Sequence, residues 1–148
     1  MSLKLDDIND MWEKDSNIDE INLTHESLRT PNLNAKYLKL LTAAKMERRK
    51  AEIKYYEIKT LASRYYKGEL DRETLNELGW KQYLGPKILK SEIDTLLTSD
   101  KNVIKEQNKY EYYNILVSQI ESILKTIAGR SFDIRNAIEF SKFQNGIN

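Results

Sequence analysis

Residues 34–67 read NAKYLKLLTAAKMERRKAEIKYYEIKTLASRYYK in one-letter code, and their spacing decides the fold. Tyr37, Leu41, Ala44, Ala51, Tyr55, Ile58, Ala62 and Tyr65 recur at intervals of three and four once Arg48 fills the gap, which is a heptad-like helical seam. Gly68 stands where a helix of this kind ends, at a C′ position. At 1.5 Å per residue the helix predicted over Asn34–Lys67 would be about 50 Å long, against a mean globular helix of about 11–12 residues. A chain of 148 residues cannot easily cover such a rod by itself, so the pattern predicts a second subunit against it.

Outward from this stretch the chain reads as helix on both sides. Toward the amino terminus, Leu5, Ile8, Met11 and Trp12 predict a helix from Leu3 to about Lys14. A short second helix is expected from Asp19 to Leu28, closed by Pro31, which disfavours helix in the residue before it. Toward the carboxyl terminus, residues 68–90 form a connector. Asp71–Leu75 make a turn or two of helix, and Gly79-Trp80 and Gly85-Pro86 act as breaks. A helix is expected from near Ser91, carrying Ile93, Leu96 and Leu97. Another runs to about Ala128, with Ser99 as its candidate N-cap. Its seam is Tyr110, Tyr113, Val117, Ile120, Leu124 and Ile127. Ile115, Leu116 and Ile123 lie off that seam, so more than one face must be covered. Gly129 is read as a break before a last helix, Ser131 to Phe143, where Phe132, Ile134, Ile138, Phe140 and Phe143 are spread around the circumference. Three phenylalanines in so short a terminal segment predict a subunit contact. The residues nominated for it are Tyr113, Leu116, Val117, Ile120, Leu124, Ile127, Phe132, Ile138 and Phe140. The expected fold is all-α, a single helical domain over residues 1–148. It comprises acidic amino-terminal helices (1–35), a long basic helix (36–67), a connector (68–90) and a helical hairpin-like carboxyl-terminal region (91–148) that drives assembly.

Composition excludes several classes of function. There is no cysteine, which removes disulfides, thiolate metal sites and thiol catalysis and fits a reducing compartment. The acidic opening Leu5-Asp6-Asp7 is unlike a signal peptide, and no apolar run approaches the length of a membrane span. His25 is the one histidine, so no H-E-x-x-H site is possible; nor is there a Walker-type or G-x-G-x-x-G phosphate loop. Asp6, Asp7 and Asp10 read as a solvated helix face near a positive helix amino end. Neither catalysis nor a cofactor or metal is expected.

The formal charge of +1 conceals an asymmetry. Residues 1–35 carry three basic and eight acidic side chains, residues 36–67 ten basic and three acidic, and residues 68–148 eleven basic and twelve acidic. The concentrated +7 segment is suited to an anion: nucleic acid, a membrane, an acidic part of another chain, or this chain's own first third. Lys54-Tyr55-Tyr56 and Arg64-Tyr65-Tyr66-Lys67 add flat rings to the cations, the combination that unpaired nucleic acid requires: cations for phosphates and rings for bases. Candidate nucleic-acid contacts are Arg48, Arg49, Lys50, Lys54, Lys59, Arg64 and Lys67, with Tyr56 and Tyr66, one residue off the seam, as stacking platforms. The alternative is a non-catalytic oligomeric scaffold whose basic segment docks an acidic protein partner.

Several short segments carry a resemblance to a known family. Ser99-Asp100-Lys101-Asn102-Val103-Ile104-Lys105 resembles an S-x-D-K-x-V-[LI]-K segment, here one residue shorter between Ser and Asp. Ile127-Ala128-Gly129-Arg130-Ser131-Phe132-Asp133-Ile134-Arg135 is similar to an I-x-x-R-x-F-x-I-[KR] segment, and Arg64-Tyr65-Tyr66-Lys67-Gly68 to a Y-Y-x-G end of a basic helix. Leu5-Asp6-Asp7-Ile8, Lys14-Asp15 and Ile18-Asp19 are similar to the same family's opening. In this order they resemble the UvsY recombination mediator family of T-even-like bacteriophages, over essentially the whole chain. The resemblance implies a non-enzymatic accessory protein of homologous recombination in the cytoplasm of the infected host cell. It implies a ring-like hexamer or heptamer that binds single-stranded DNA, contacts the phage single-strand-binding protein and loads the phage recombinase. The family's basic pair, K-x-R ahead of the tyrosines, falls here on Thr60 and Ala62. Either Lys59 and Arg64 substitute for it, or DNA contact has moved up the helix to Arg48, Arg49 and Lys50.

Overall fold

The computed structural model describes residues 3–146, and these contain five α-helices and no strand. The helices are α1 (Leu5–Asp15), α2 (Leu23–Tyr66), α3 (Arg72–Leu78), α4 (Ile93–Ser99) and α5 (Lys101–Gln144). The all-α class is as expected. The chain divides into two compact units, one of Met1–Met46 with Asn114–Asn148 and the other of Glu47–Tyr113. The predicted seam of α2 is the buried side of that helix. Tyr37, Ala44, Ala51, Ile58 and Ala62 are buried, and Leu41, Arg48, Tyr55 and Tyr65 half-buried.

In the first unit, α1, α2 up to Met46 and α5 from Asn114 supply the core residues Ile8, Leu33, Tyr37, Leu116, Val117, Ile120, Ile127 and Ile134. The Trp12 ring meets Tyr37 edge-on at 5.4 Å. The Tyr37 hydroxyl donates to Asp15 Oδ2 at 2.9 Å, and Lys36 Nζ donates to the same oxygen at 2.6 Å. Burial opposes the charged form of Asp15, but these bonds outweigh it and hold the carboxyl below its ordinary range.

Neither Pro31 nor Gly129 ends a helix. Pro31 does not close a short helix: α2 begins at Leu23 and runs through it. A proline inside a helix loses one backbone bond and costs about 3 kcal/mol or more, so tertiary contacts must outweigh it. They do so on both sides, since Leu33 and Tyr37 are buried after it and Glu26 and Thr30 are bonded by Arg130 before it. Nor does Gly129 divide the carboxyl-terminal region into a hairpin, because α5 continues for 44 residues through it. Ile127 and Arg130, both buried, anchor the helix on either side of the glycine. A Cβ at Gly129 would meet nothing within 4 Å. Gly129→Ala is therefore expected to stabilise the protein by about 0.5–1 kcal/mol, read as a higher denaturation midpoint in urea.

The second unit packs Ile58 and Ala62 of α2 against Ile93 and Leu97 of α4 and Val103 of α5, with Tyr55, Leu61, Tyr66, Trp80 and Ile88 around them. α2 ends as its sequence predicts. Gly68 has φ +72°, and the Glu69 amide donates back to the Arg64 carbonyl at 2.9 Å. Asp71 caps α3 by accepting from the Thr74 amide at 2.7 Å, and Gly79 closes α3 in a left-handed conformation. The N-cap of α5 is Asp100, one residue beyond the expected Ser99. Its Oδ1 accepts from the amides of Asn102 and Val103 at 2.9 and 3.0 Å, while Ser99 bonds back to carbonyls of α4. Asp100 therefore starts α5, and its other oxygen accepts from the Tyr66 hydroxyl at 2.7 Å.

Candidate nucleic-acid interface

The outer surface of α2 in the second unit holds the candidate DNA contacts. At about 100° per residue, Arg49, Ile53, Tyr56, Thr60, Arg64 and Lys67 fall within an arc of about 80°, opposite the buried seam. All six are exposed accordingly, and Tyr56 is 54% accessible. Lys50 and Lys54 lie exposed on one flank of this stripe, and half-buried Arg48 and Lys59 on the other. Between Glu47 and Lys67 the chain carries seven basic and three acidic residues, a local charge of +4.

The acidic residues do not neutralise the stripe strongly. Arg49 pairs with Glu52 at 2.7 Å, Lys50 with Glu47 at 3.3 Å and Arg64 with Glu69 at 3.8 Å, all at the surface. Exposed pairs of this kind are worth about 0–1 kcal/mol, so a phosphate can replace the carboxylate at little loss. Lys54 and Lys67 have no ion pair among the described residues. A shallow groove brings Tyr56, Lys59, Thr60, Ser63, Arg64 and Lys67 together beside Leu97 of α4. It joins four of the nominated residues. Leu97 was not legible as a neighbour, since α4 meets α2 only through tertiary packing, whereas Ser63 follows Lys59 by one helical turn.

The two nominated tyrosines part company. Tyr56 presents its ring to solvent, tilted against Tyr55 at 5.1 Å. Tyr66, expected off the seam as a platform, is instead tied inward. Its hydroxyl bonds Asp100, and its ring packs edge-on against Tyr65 and Tyr83. Burial, then the Asp100 hydrogen bond, push that hydroxyl well above the ordinary tyrosine range, so it stays a neutral donor. Of the two positions matching the basic pair in the resemblance, Ala62 is fully buried and Thr60 lies in the groove between Lys59 and Arg64. Lys59 Nζ sits 5.7 Å from the centre of the Tyr55 ring, a cation–π contact that holds its stem along the helix.

The nominated subunit-contact residues also divide. Leu116, Val117, Ile120 and Ile127 are buried in the first unit's own core. Tyr113, Leu124 and Ile138 are half-buried. Phe132 and Phe140 are exposed at 57% and 62%, as is Phe143 at 78%. These three rings fall within about 80° of one another around α5.

Among the described residues no group of His, Cys, Asp and Glu could hold a metal ion, and no helix is long and apolar enough to cross a membrane. Fold and surface together define an all-helical protein that displays a tyrosine-bearing cationic stripe opposite its core. The family model described as "Recombination, repair and ssDNA binding protein UvsY" matches residues 11–147, and the chain belongs to the UvsY family. The recombination protein uvsY of Enterobacteria phage T4 is 27% identical over 144 residues, which cover 97% of this chain and 99% of that protein. Crystal structures of the bacteriophage T4 recombination mediator protein UvsY share the fold. One (lattice type II) gives a TM-score of 0.84 over 97% of this chain and 99% of that one, and another (lattice type IV) gives 0.79 over 96% and 99%, both at 25% identity.

The segments that carried the resemblance have physical roles. Asp100 and Val103 in the first are the cap and a buried residue of α5. In the second, Ile127, Arg130 and Ile134 are buried at helical spacing, and Phe132 points the other way.

Proposed function

We propose that this chain is a non-catalytic recombination mediator. Several copies assemble into a ring-like hexamer or heptamer and bind single-stranded DNA along the exposed stripe of α2. They help displace the single-strand-binding protein and load the recombinase. The observation that carries this reading is the stripe itself: Arg49, Arg64 and Lys67 with Tyr56 on the face opposite the seam, bordering a groove that adds Lys59. Family membership and the likeness to the T4 mediator support it. Cations at this spacing track phosphates, and an exposed ring stacks on a base without reading sequence. Assembly would multiply a weak contact per copy into avidity. The exposed Phe132, Phe140 and Phe143 support α5 as the assembling helix.

Fluorescence anisotropy of a labelled oligothymidylate across a salt series tests the site. Wild-type affinity should fall steeply with salt, as counterion release requires. Lys59→Ala with Arg64→Ala should weaken binding by about tenfold or more and lower the log–log salt slope by about 0.7 for each phosphate no longer neutralised, without altering the sedimentation of the assembly. Unchanged affinity in that double variant would move the site to Arg48 and Arg49. Salt-insensitive or absent binding by the wild type would favour a scaffold that docks an acidic protein.

A further inference from the structure

A second feature of the same unit lies at the end of α2. A cavity of about 510 Å³ lies where α2 ends, lined by Tyr65, Gly68, α3 residues and the segment from Trp80 to Tyr83. That volume falls in the roughly 300–1,000 Å³ range of small-ligand sites. Gly68, the first residue after the basic helix, is part of its wall, so a strand held along the stripe has to turn round the end of α2 to reach it.

Its walls are aromatic. Tyr65 meets Trp80 at 5.4 Å and Tyr83 at 5.8 Å, with interplanar angles of 70° and 65°. These rings meet edge to face and none lies flat on another, so a planar group can stack where no ring of the protein does. Exposed Arg72 and Lys81 also line the cavity, and neither is in an ion pair among the described residues.

Local sequence builds this arrangement. Gly79, with φ +71°, turns the chain after α3, and the Trp80 amide donates to the Leu75 carbonyl at 3.0 Å. The Tyr65 hydroxyl donates to the Lys81 carbonyl and holds that segment against α2. The Tyr83 hydroxyl donates to the Pro86 carbonyl at 3.2 Å. A Cβ at Gly85 would collide with the Tyr83 ring, so glycine there lets the ring take its place in the wall.

We infer that this cavity is a nucleobase pocket. It receives an unpaired base of the strand that α2 holds by its phosphates, the base stacking among Tyr65, Trp80 and Tyr83 while Arg72 and Lys81 take the flanking phosphates. The inference rests on the proposed DNA-binding function and names a second contact for the same strand. An aromatic cavity that carries two unpaired cations of its own, at the end of the helix that bears the stripe, has the chemistry that unpaired nucleic acid recognises: stacking for the base and charge for the backbone.

The test compares two labelled oligonucleotides of equal length, an oligothymidylate and an abasic strand with the same phosphates. The wild type should bind the oligothymidylate more tightly. Tyr83→Ala should weaken that binding about tenfold, leave the abasic strand's affinity unchanged, and keep the helical circular dichroism. Tyr83→Phe should restore the preference for bases. Gly85→Ala, which shifts the ring without removing it, should give the same selective loss. Equal loss for both strands, or no loss for either in Tyr83→Ala and Gly85→Ala, overturns the pocket while the stripe stands. Failure of the wild type to bind either strand overturns the stripe and the pocket together.

Discussion

Glu26→Ala should destabilise the protein by about 3–5 kcal/mol, the loss typical of a buried ion pair stripped of one partner. Glu26 and Arg130 are each only 4% exposed. Arg130 donates to the Glu26 carboxylate, to the Glu26 backbone carbonyl and to Thr30 Oγ1, joining α5 to the first turns of α2. Arg29 adds a second guanidinium to the same carboxylate at 3.0 Å and reaches the Asp15 carbonyl at 3.1 Å, which brings in the end of α1. Removing Glu26 leaves the Arg130 charge buried without its counterion. Arg130→Ala should have a smaller effect, since Arg29 still pairs with the Glu26 carboxylate once Arg130 is gone. The double replacement Glu26→Leu with Arg130→Met should recover most of the loss, because an apolar pair of similar volume avoids the desolvation of both charges. Urea denaturation followed by circular dichroism reads all three. Single variants that fall by less than about 1 kcal/mol would show that the pair carries no such burden.

Phe132→Asp with Phe140→Asp should disperse the proposed assembly while leaving each copy folded. Both rings are exposed, so neither change opens a cavity in the chain's own core. A carboxylate at the centre of an apolar contact leaves a charge that the partner surface cannot solvate, which is costly when buried. The wild type should sediment as a multimer at micromolar concentration and the double variant as a monomer, with matching circular dichroism. A monomeric wild type would rule out assembly as the source of avidity. A double variant that stays multimeric would move the contact elsewhere on the surface, to exposed residues such as Ile115 or Leu28.

Much of this was legible from the chain. The α2 seam was readable because a heptad pattern from Tyr37 to Tyr65 is long enough to outweigh local exceptions. The helix end at Gly68 was readable because a left-handed turn there has a strong residue preference. Pro31 and Gly129 misled because their rules are local, whereas the buried Leu33, Tyr37, Ile127 and Arg130 beside them belong to tertiary packing. The Glu26–Arg130 pair joins residues 104 positions apart. Its only sequence signal was Arg130 standing between Ile127 and Ile134 on what is otherwise an apolar helix face. Tyr56 and Tyr66 look alike in sequence, and only the arrival of Asp100 at the end of α2 separates an exposed ring from a bonded one. The pocket needed the fold, since Tyr65, Trp80 and Tyr83 converge only after two left-handed glycine turns.

In the proposed mechanism, grip on a single strand comes from many copies of a modest cationic stripe. The affinity of the Phe132→Asp, Phe140→Asp monomer for a long oligothymidylate, set beside the wild type at the same salt, measures this without intermediaries. A weakening of about 10²–10⁴-fold, with Arg49, Lys59, Arg64 and Lys67 all still in place, is the expected result. Equal affinity for a confirmed monomer and for the wild-type multimer would contradict it.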